Sequence, residues 1–229
     1  MSSLIDNITL KVLNILKKSP KKPVIMDQYR NNHILWSKYI DNHTPGYIDK
    51  QSALSNYLYG YANAFERGHF FNGQFLNASH NSCEVIAVYN ALYNLNGYKE
   101  EFGFDVLLKI FALNGIVLRG VFGTSPMSIY KFLLNKNYKV GMLKGKKINR
   151  DDVMTFSDEY KVFIHVTFNK GQNPLGQIHT MCITKEEWEY KAHNDYEGNK
   201  KYPSLYEALI GYKGGAGHSI LVIGVRGTQ

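Results

Sequence analysis

The sequence predicts an α+β protein, with an N-terminal helical part packed against a mostly antiparallel C-terminal sheet. Two observations carry this. Apolar residues recur at helical spacing from residue 83 to residue 133, and from residue 138 they gather into short β-branched and aromatic runs separated by polar turns. With 229 residues, 44% of them apolar and 20% charged, the chain can bury a sizeable core and is too apolar to be disordered. The expected division is a helical and irregular extension over residues 1–71 and a main domain over residues 72–229.

In chain order, Ile5, Ile8, Val12 and Ile15 share one face of a helix over residues 3–18, with lysines at the end favoured by its dipole. Ser19-Pro20-Lys21-Lys22-Pro23 stops it. Such a helix either lies on an acidic membrane surface or, more commonly, docks on its own domain. Residues 24–75, rich in Tyr, Asn and His, show no period and read as irregular helix and loop. Val85, Val88, Tyr89, Leu92 and Leu95 then give a helix from Ser82 or Cys83 to Gly97.

A second helix follows over Phe104 to Leu113. A third opens at Thr124 or Ser125 with Pro126 in its first turn, carries Ile129, Phe132 and Leu133 on one face, and ends at Asn137. Residues 138–142 are extended. Strands over 162–168, 178–183 and 188–193, joined by a 171–176 loop and a polar 184–187 turn, read as a meander. A short helix over 204–210 and a glycine-rich turn lead to a last strand over 219–225.

Charge and composition exclude several classes. The net charge is +8, but residues 1–50 hold 8 Lys and Arg against 4 Asp and Glu, leaving 19 against 15 for the rest. The body is thus only mildly basic. Its densest basic patch, Lys144, Lys146, Lys147 and Arg150, lacks interleaved aromatics and reads as a solvated loop, so no nucleic-acid partner is expected. No run approaches the roughly 20 apolar residues of a membrane span, which argues against integral insertion. Lys17, Lys18, Lys21 and Lys22 follow the apolar part, which Asp6, Asn7 and Lys11 interrupt, unlike a secretory signal, so the expected compartment is the cytoplasm, or another cell reached without a signal peptide. His69, His80 and His193 lack zinc-ligand spacing, and Gly214, Gly215 and Gly217 match no phosphate-binding pattern, so neither metal nor cofactor is expected.

The chemistry points to sulfur. A nucleophilic thiol needs an imidazole to take its proton and a polar group to orient that imidazole. Cys83 stands at a helix start, where free N–H groups and the dipole lower a thiol's pKa. His179 heads one strand and Asn194 closes the next, and a hairpin brings head and tail side by side. Asp195 is the reserve orienting residue. Cys182 and His165 read as core, and His218, a rival base, has no downstream strand to carry its own orienting Asn.

Cys83 at a helix start, Gly-Thr-Ser-Pro at 123–126, a Tyr-x-Val strand at 138–140, then His179 and Asn194, in that order, resemble the papain-like cysteine peptidases. Within them the pattern is most similar to bacterial double-glycine leader peptidases, over about residues 72–229. The stretch Asn-Ser-Cys-Glu-Val-Ile-Ala-Val-Tyr-Asn-Ala-Leu at 81–92 and Ile-His-Thr at 178–180 also resemble uncharacterised clostridial-type proteins, some of them toxin-like modules. The resemblance implies a papain-like fold and a thiol-dependent hydrolase, most simply a cysteine peptidase acting on a peptide or protein substrate. It also implies Asn77, six positions before Cys83 where the family has Gln, as oxyanion donor with the Cys83 N–H, Gln74 being a rival. Glu84 departs from the usual Gly; a carboxylate there raises the thiol's pKa unless it turns away to the helix's free N–H groups. The alternatives are a glutamine deamidase or transglutaminase-like effector on the same fold, and a non-catalytic basic binding module.

Overall fold

The computed structural model describes residues 2–61, 76–120, 122–145, 148–169, 178–195, 198, 200–215 and 217–227. His69, Gln74, Lys146, Lys147 and the 171–176 loop lie outside the described residues. Helices α1 (Ser2–Ile15), α2 (Lys22–Asn42), α3 (Ala78–Asn81), α4 (Cys83–Asn96), α5 (Phe104–Asn114) and α6 (Pro126–Asn135) precede the first strand, β1 (Lys139–Lys144). Then come α7 (Arg150–Glu159), β2 (Val162–Phe168), β3 (Ile178–Lys185), β4 (Tyr190–His193), β5 (Lys201–Tyr202), α8 (Leu205–Ile210) and β6 (His218–Arg226). The six strands form one sheet in the order β1-β6-β2-β3-β4-β5, and every neighbouring pair is antiparallel. The α+β class and the β2–β3–β4 meander follow the sequence reading, and β6 comes in between β1 and β2.

Side chains alternate across each strand and so serve two cores. On one face Ile164, Val166, Cys182, Leu221 and Ile223 join the apolar residues of α4. On the other, Phe163, Met181, Ile183 and Val222 lie with Val153 and Phe156 of α7 and Leu205, Ala208 and Leu209 of α8. Every residue of α4 from Cys83 to Leu92 is buried. Each apolar side chain of Leu or Val size so placed contributes about 1.5–3 kcal/mol. Gly97, at φ 68°, closes α4 and donates its N–H to the Tyr93 carbonyl, as a helix-ending glycine does.

The residues read as an extension place Leu10, Ile25, Trp36, Leu54, Tyr57 and Tyr59 in the same core as α4. Two details there correct the sequence reading. Most of the α1 face read as the packing face points outward: Ile8, Val12 and Ile15 are exposed, Ile5 at its margin is partly buried against the core, and the inner side carries Asp6, Leu10 and Leu13. The aperiodic stretch after residue 24 contains the longest described helix, α2, and Pro23, read as part of a stop, opens it within its first turn. Helix α7, which the apolar period also missed, is announced by its cap: Asn149 Oδ1 accepts the Asp152 N–H at 3.0 Å.

Gly141 and Gly224 face each other across β1 and β6 and make room for the Tyr160 ring. A Cβ on Gly224 would stand 2.6 Å from Tyr160 Cγ and 2.7 Å from Phe156 Cζ, closer than real contacts allow. Gly224→Ala is therefore expected to cost about 1–3 kcal/mol in urea denaturation. Gly227→Ala, with nothing within 4 Å of the added carbon, serves as the control and should stay within about 0.5 kcal/mol of the parent.

Candidate functional site

Cys83 is the first residue of α4 and is 6% exposed. The turn that delivers it, α3, is capped by Asn77, whose Oδ1 accepts from Ser79 N at 3.1 Å and Ser79 Oγ at 2.6 Å. The backbone amide of Thr180 in β3 faces the sulfur, and this contact favours the thiolate. It is outweighed. Burial first, and the neighbouring Glu84 carboxylate second, push the Cys83 thiol well above its ordinary value. The helix start was expected to lower it, but a helix end is worth about 0.3–1 kcal/mol, less than the cost of burying a thiolate beside a second negative charge.

Glu84 does not turn away to the helix's free N–H groups alone. Its carboxylate stands beside the Cys83 thiol, which its charge raises, and accepts the Thr124 N–H at 3.4 Å. Gly123, at φ +65°, permits this, because a Cβ there would lie 2.6 Å from Glu84 Oε2. The Gly-Thr-Ser-Pro stretch thus does two jobs: Gly123 and Thr124 cradle Glu84, and Pro126 opens α6. Around them Tyr59 Oη and Thr124 Oγ1 share a short hydrogen bond, and Asn81 Nδ2 donates to the carbonyls of Tyr59 (2.7 Å) and Gly120 (2.8 Å). Asn81 Oδ1, Ser125 Oγ and Thr180 Oγ1 are buried without hydrogen-bond partners. Burial pushes the Glu84 carboxyl up to about 7.

His179 and Asn194 meet as the hairpin requires, but not through the Asn side chain. Nε2–H of His179 donates to the main-chain carbonyl of Asn194 at 2.6 Å. A carbonyl only accepts, so the proton sits on Nε2 and, in the neutral ring, Nδ1 holds the lone pair. The Asn194 amide is engaged with Gln51 instead: Oδ1 accepts the Gln51 N–H at 3.2 Å and Nδ2 donates to Gln51 Oε1 at 3.3 Å. Asn194 has φ +62°, a left-handed conformation that Asn tolerates better than most residues and that turns its side chain away from the ring. The His179 ring also stacks on Tyr212, with centroids 5.9 Å apart.

By register His179 belongs with Thr167 and Met181 on the α8 side of the sheet, whereas Cys182 points to α4. None of the hydrogen bonds described for Cys83 or His179 joins the two. The structure thus brings Cys83 to the residue after His179, and His179 to Asn194, and it corrects the expected Cys83–His179 pairing: the imidazole stands on the α8 face of the sheet and the thiol's helix on the other.

The remaining candidates are placed elsewhere. Asp195 is buried and its Oδ2 accepts the Lys200 N–H at 3.0 Å. His165 is fully buried, bonds Ser219 Oγ through Nε2 at 2.8 Å, and is lowered to about 3 by burial and then by His179. Cys182 is core, its thiol raised by burial. His193 lies between Asp49 and Thr184, and His218 pairs with Asp6 at 3.0 Å. The cradle of Glu84 is what sequence reasoning missed, although its glycine stood in a motif already singled out. No family model, curated protein or solved structure matches this chain.

The Glu84 shift has a pH consequence. Unfolded, the group titrates near 4.5, and folded near 7, so over that window the folded state holds a proton the unfolded chain has lost. This contribution is full below the lower value and is lost as pH rises through the upper, a change of about 3 kcal/mol. Glu84→Gln is expected to match the parent in urea denaturation at about pH 5 and exceed it at about pH 8. Parallel stability curves for the two proteins would remove the buried carboxylate from the account.

Proposed function

We propose that the protein is a thiol-dependent hydrolase of papain-like fold, acting as a cysteine peptidase on a peptide or protein chain. One observation carries the reading. Cys83 lies against the amide of Thr180 at the head of β3, and the preceding residue, His179, whose ring stands on the other face of the strand, is held by the Asn194 carbonyl in the tautomer that a thiol's proton acceptor needs.

The steps are those of acyl transfer. The thiol passes its proton to Nδ1 of His179, and the sulfur attacks the carbonyl carbon, pushing the π electrons onto oxygen. The Cys83 N–H and Asn77 Nδ2 receive that oxyanion; Asn77 Oδ1 is already spent on capping α3, which leaves the amide nitrogen as its donor. The C–N bond then breaks, the leaving amine takes the proton from the imidazolium, and a thioester remains on Cys83. Water, deprotonated by His179, attacks the thioester and releases the acid and the thiol. Before the first step the thiol must move off the Glu84 carboxylate, and the His179 ring, which the register puts on the α8 side of the sheet, must come round the head of β3 to the α4 side. The same thioester formed from a glutamine side chain instead of a peptide bond gives the deamidase alternative.

A second reading has an observation of its own. A 6% exposed thiol held protonated beside a carboxylate is also how a core cysteine behaves, and the protein is then a non-catalytic binding module.

An electrophilic, thiol-directed activity probe separates these. The hydrolase reading expects labelling at Cys83 that disappears in Cys83→Ala and falls at least about a hundredfold in His179→Ala. Asn194→Ala, which keeps the main-chain carbonyl, should lose less than about tenfold in labelling while costing about 1–3 kcal/mol of stability. Equal labelling of the parent and His179→Ala in folded protein leaves only the second reading. If instead turnover is found as a mass gain at glutamine without chain cleavage, the deamidase is the enzyme.

A second expectation concerns the resting thiol. Because burial and Glu84 both raise Cys83, iodoacetamide should modify it slowly at neutral pH and faster as pH rises. Glu84→Gln, by removing the negative charge, should speed the reaction at about pH 8; an unchanged rate would show that the carboxylate does not act on the sulfur.

A further inference from the structure

We propose that α1 is a membrane-contact helix, whose outward apolar stripe and neighbouring lysines seat the protein on an anionic lipid surface. The helix has two apolar sides. Leu10 and Leu13 are buried on one side, together with Asp6, which pairs with His218. Opposite them Leu4, Ile8, Val12 and Ile15 follow one another at four- and three-residue spacing and are 44% to 77% exposed. Nothing among the described residues covers this stripe. Four large aliphatic side chains in one exposed row exceed the single scattered apolar residues normal on a protein surface.

Charge selects the occupant. Residues 1–22 carry Lys11, Lys17, Lys18, Lys21 and Lys22, and their one acid, Asp6, is buried against His218. The ionised groups on the solvent side are therefore all positive. A second copy of the chain would bring these lysines against their equivalents in a symmetric contact, which like charges oppose. Nucleic acid would meet an aliphatic stripe with no aromatic ring to stack on. A bilayer with acidic headgroups satisfies both parts, taking the aliphatic row into the headgroup and acyl boundary and the lysines at the phosphates.

The helix is also held in place beforehand. Leu118 N–H donates to the Leu16 carbonyl at 3.0 Å, Lys18 N–H to Ile116 at 3.1 Å and Arg119 N–H to Lys18 at 2.7 Å. Binding therefore need not pay for folding the helix, unlike a free amphipathic peptide. No described helix is long and apolar enough to cross a membrane, so the contact is peripheral.

The test uses the whole chain and two kinds of vesicle, phosphatidylcholine alone and phosphatidylcholine with phosphatidylserine. Flotation should recover the protein with the acidic vesicles, much less with the neutral ones, and binding should fall as salt rises. Replacing Lys18, Lys21 and Lys22 by Gln should weaken binding about fivefold for each charge removed. Ile8→Ser with Ile15→Ser should weaken it at least about tenfold without a change in thermal melting, since both side chains are in solvent. Ile15→Ser alone serves if the double variant melts early. The proposal is overturned if acidic vesicles do not retain the protein, if the serine variants bind as well as the parent, or if those substitutions instead dissolve a dimer seen by light scattering.

Discussion

A helix buried on every side leaves the polar groups at its tip no water to turn to. That constraint shapes the rest of the molecule, because α4 is covered from Cys83 to Leu92 by the sheet, by α5 and by the N-terminal segment. Two influences meet at the tip with opposite sign. The free N–H groups of the first turn favour negative charge by at most about 2 kcal/mol, while removing a carboxylate or thiolate from water costs several. Burial prevails in both groups, and the Cys83 thiol and the Glu84 carboxyl are both raised.

The same shortage of water explains the segment that covers α4. Residues 43–50 and 59–61 have no regular secondary structure, so their backbone groups need partners from elsewhere. Buried asparagines provide them. Asn90 accepts the Ile48 N–H and donates to the Ile48 carbonyl, and Asn32 does both for Leu58. Asn81 takes the Tyr59 carbonyl and Asn194 the Gln51 N–H. Each side-chain amide imitates a piece of strand, so the cover is fixed without a ladder. This is why the stretch is rich in polar residues yet packed, and why its apolar residues show no period.

What was legible in the sequence divides along the same line. Helices α4, α5 and α6 and strands β2, β3, β4 and β6 could be read because their partners are apolar and recur at 3.6 or 2 residues. Helix α2 turns Ile25, Asn32 and Trp36 inward, and the buried Asn32 broke the apolar count. The α1 face was misread because both sides of that helix are apolar, and periodicity cannot tell which one meets the core. The position of β6 between β1 and β2 rests on long-range pairing that carries no local signal. At the site, the hairpin made the proximity of Asn194 to His179 readable, but the choice between its carbonyl and its side chain depends on a left-handed φ and on Gln51, 143 positions away. Glu84 was visible as a departure from the family pattern. Its direction depends on the space left by Gly123.

The fixed imidazole and the buried acid together locate the obstacles to any chemistry at Cys83. Since Nε2–H is tied to the Asn194 carbonyl, the tautomer needed to accept a thiol proton is in place before substrate arrives, and no reorientation of Asn194 is required. Two obstacles remain: register puts the imidazole on the α8 face of the sheet, away from α4 and its thiol, and burial beside Glu84 keeps the sulfur protonated. The Glu84 carboxylate raises the neighbouring Cys83 thiol, and a thiolate beside a protonated Glu84 has the same net charge as the thiol beside the carboxylate. Moving the proton between them adds no charge to the buried tip, whereas ionising both does. A substrate that displaces the thiol from Glu84 therefore meets a smaller electrostatic cost if it leaves the carboxyl protonated, and a group titrating near 7 supplies that form at neutral pH.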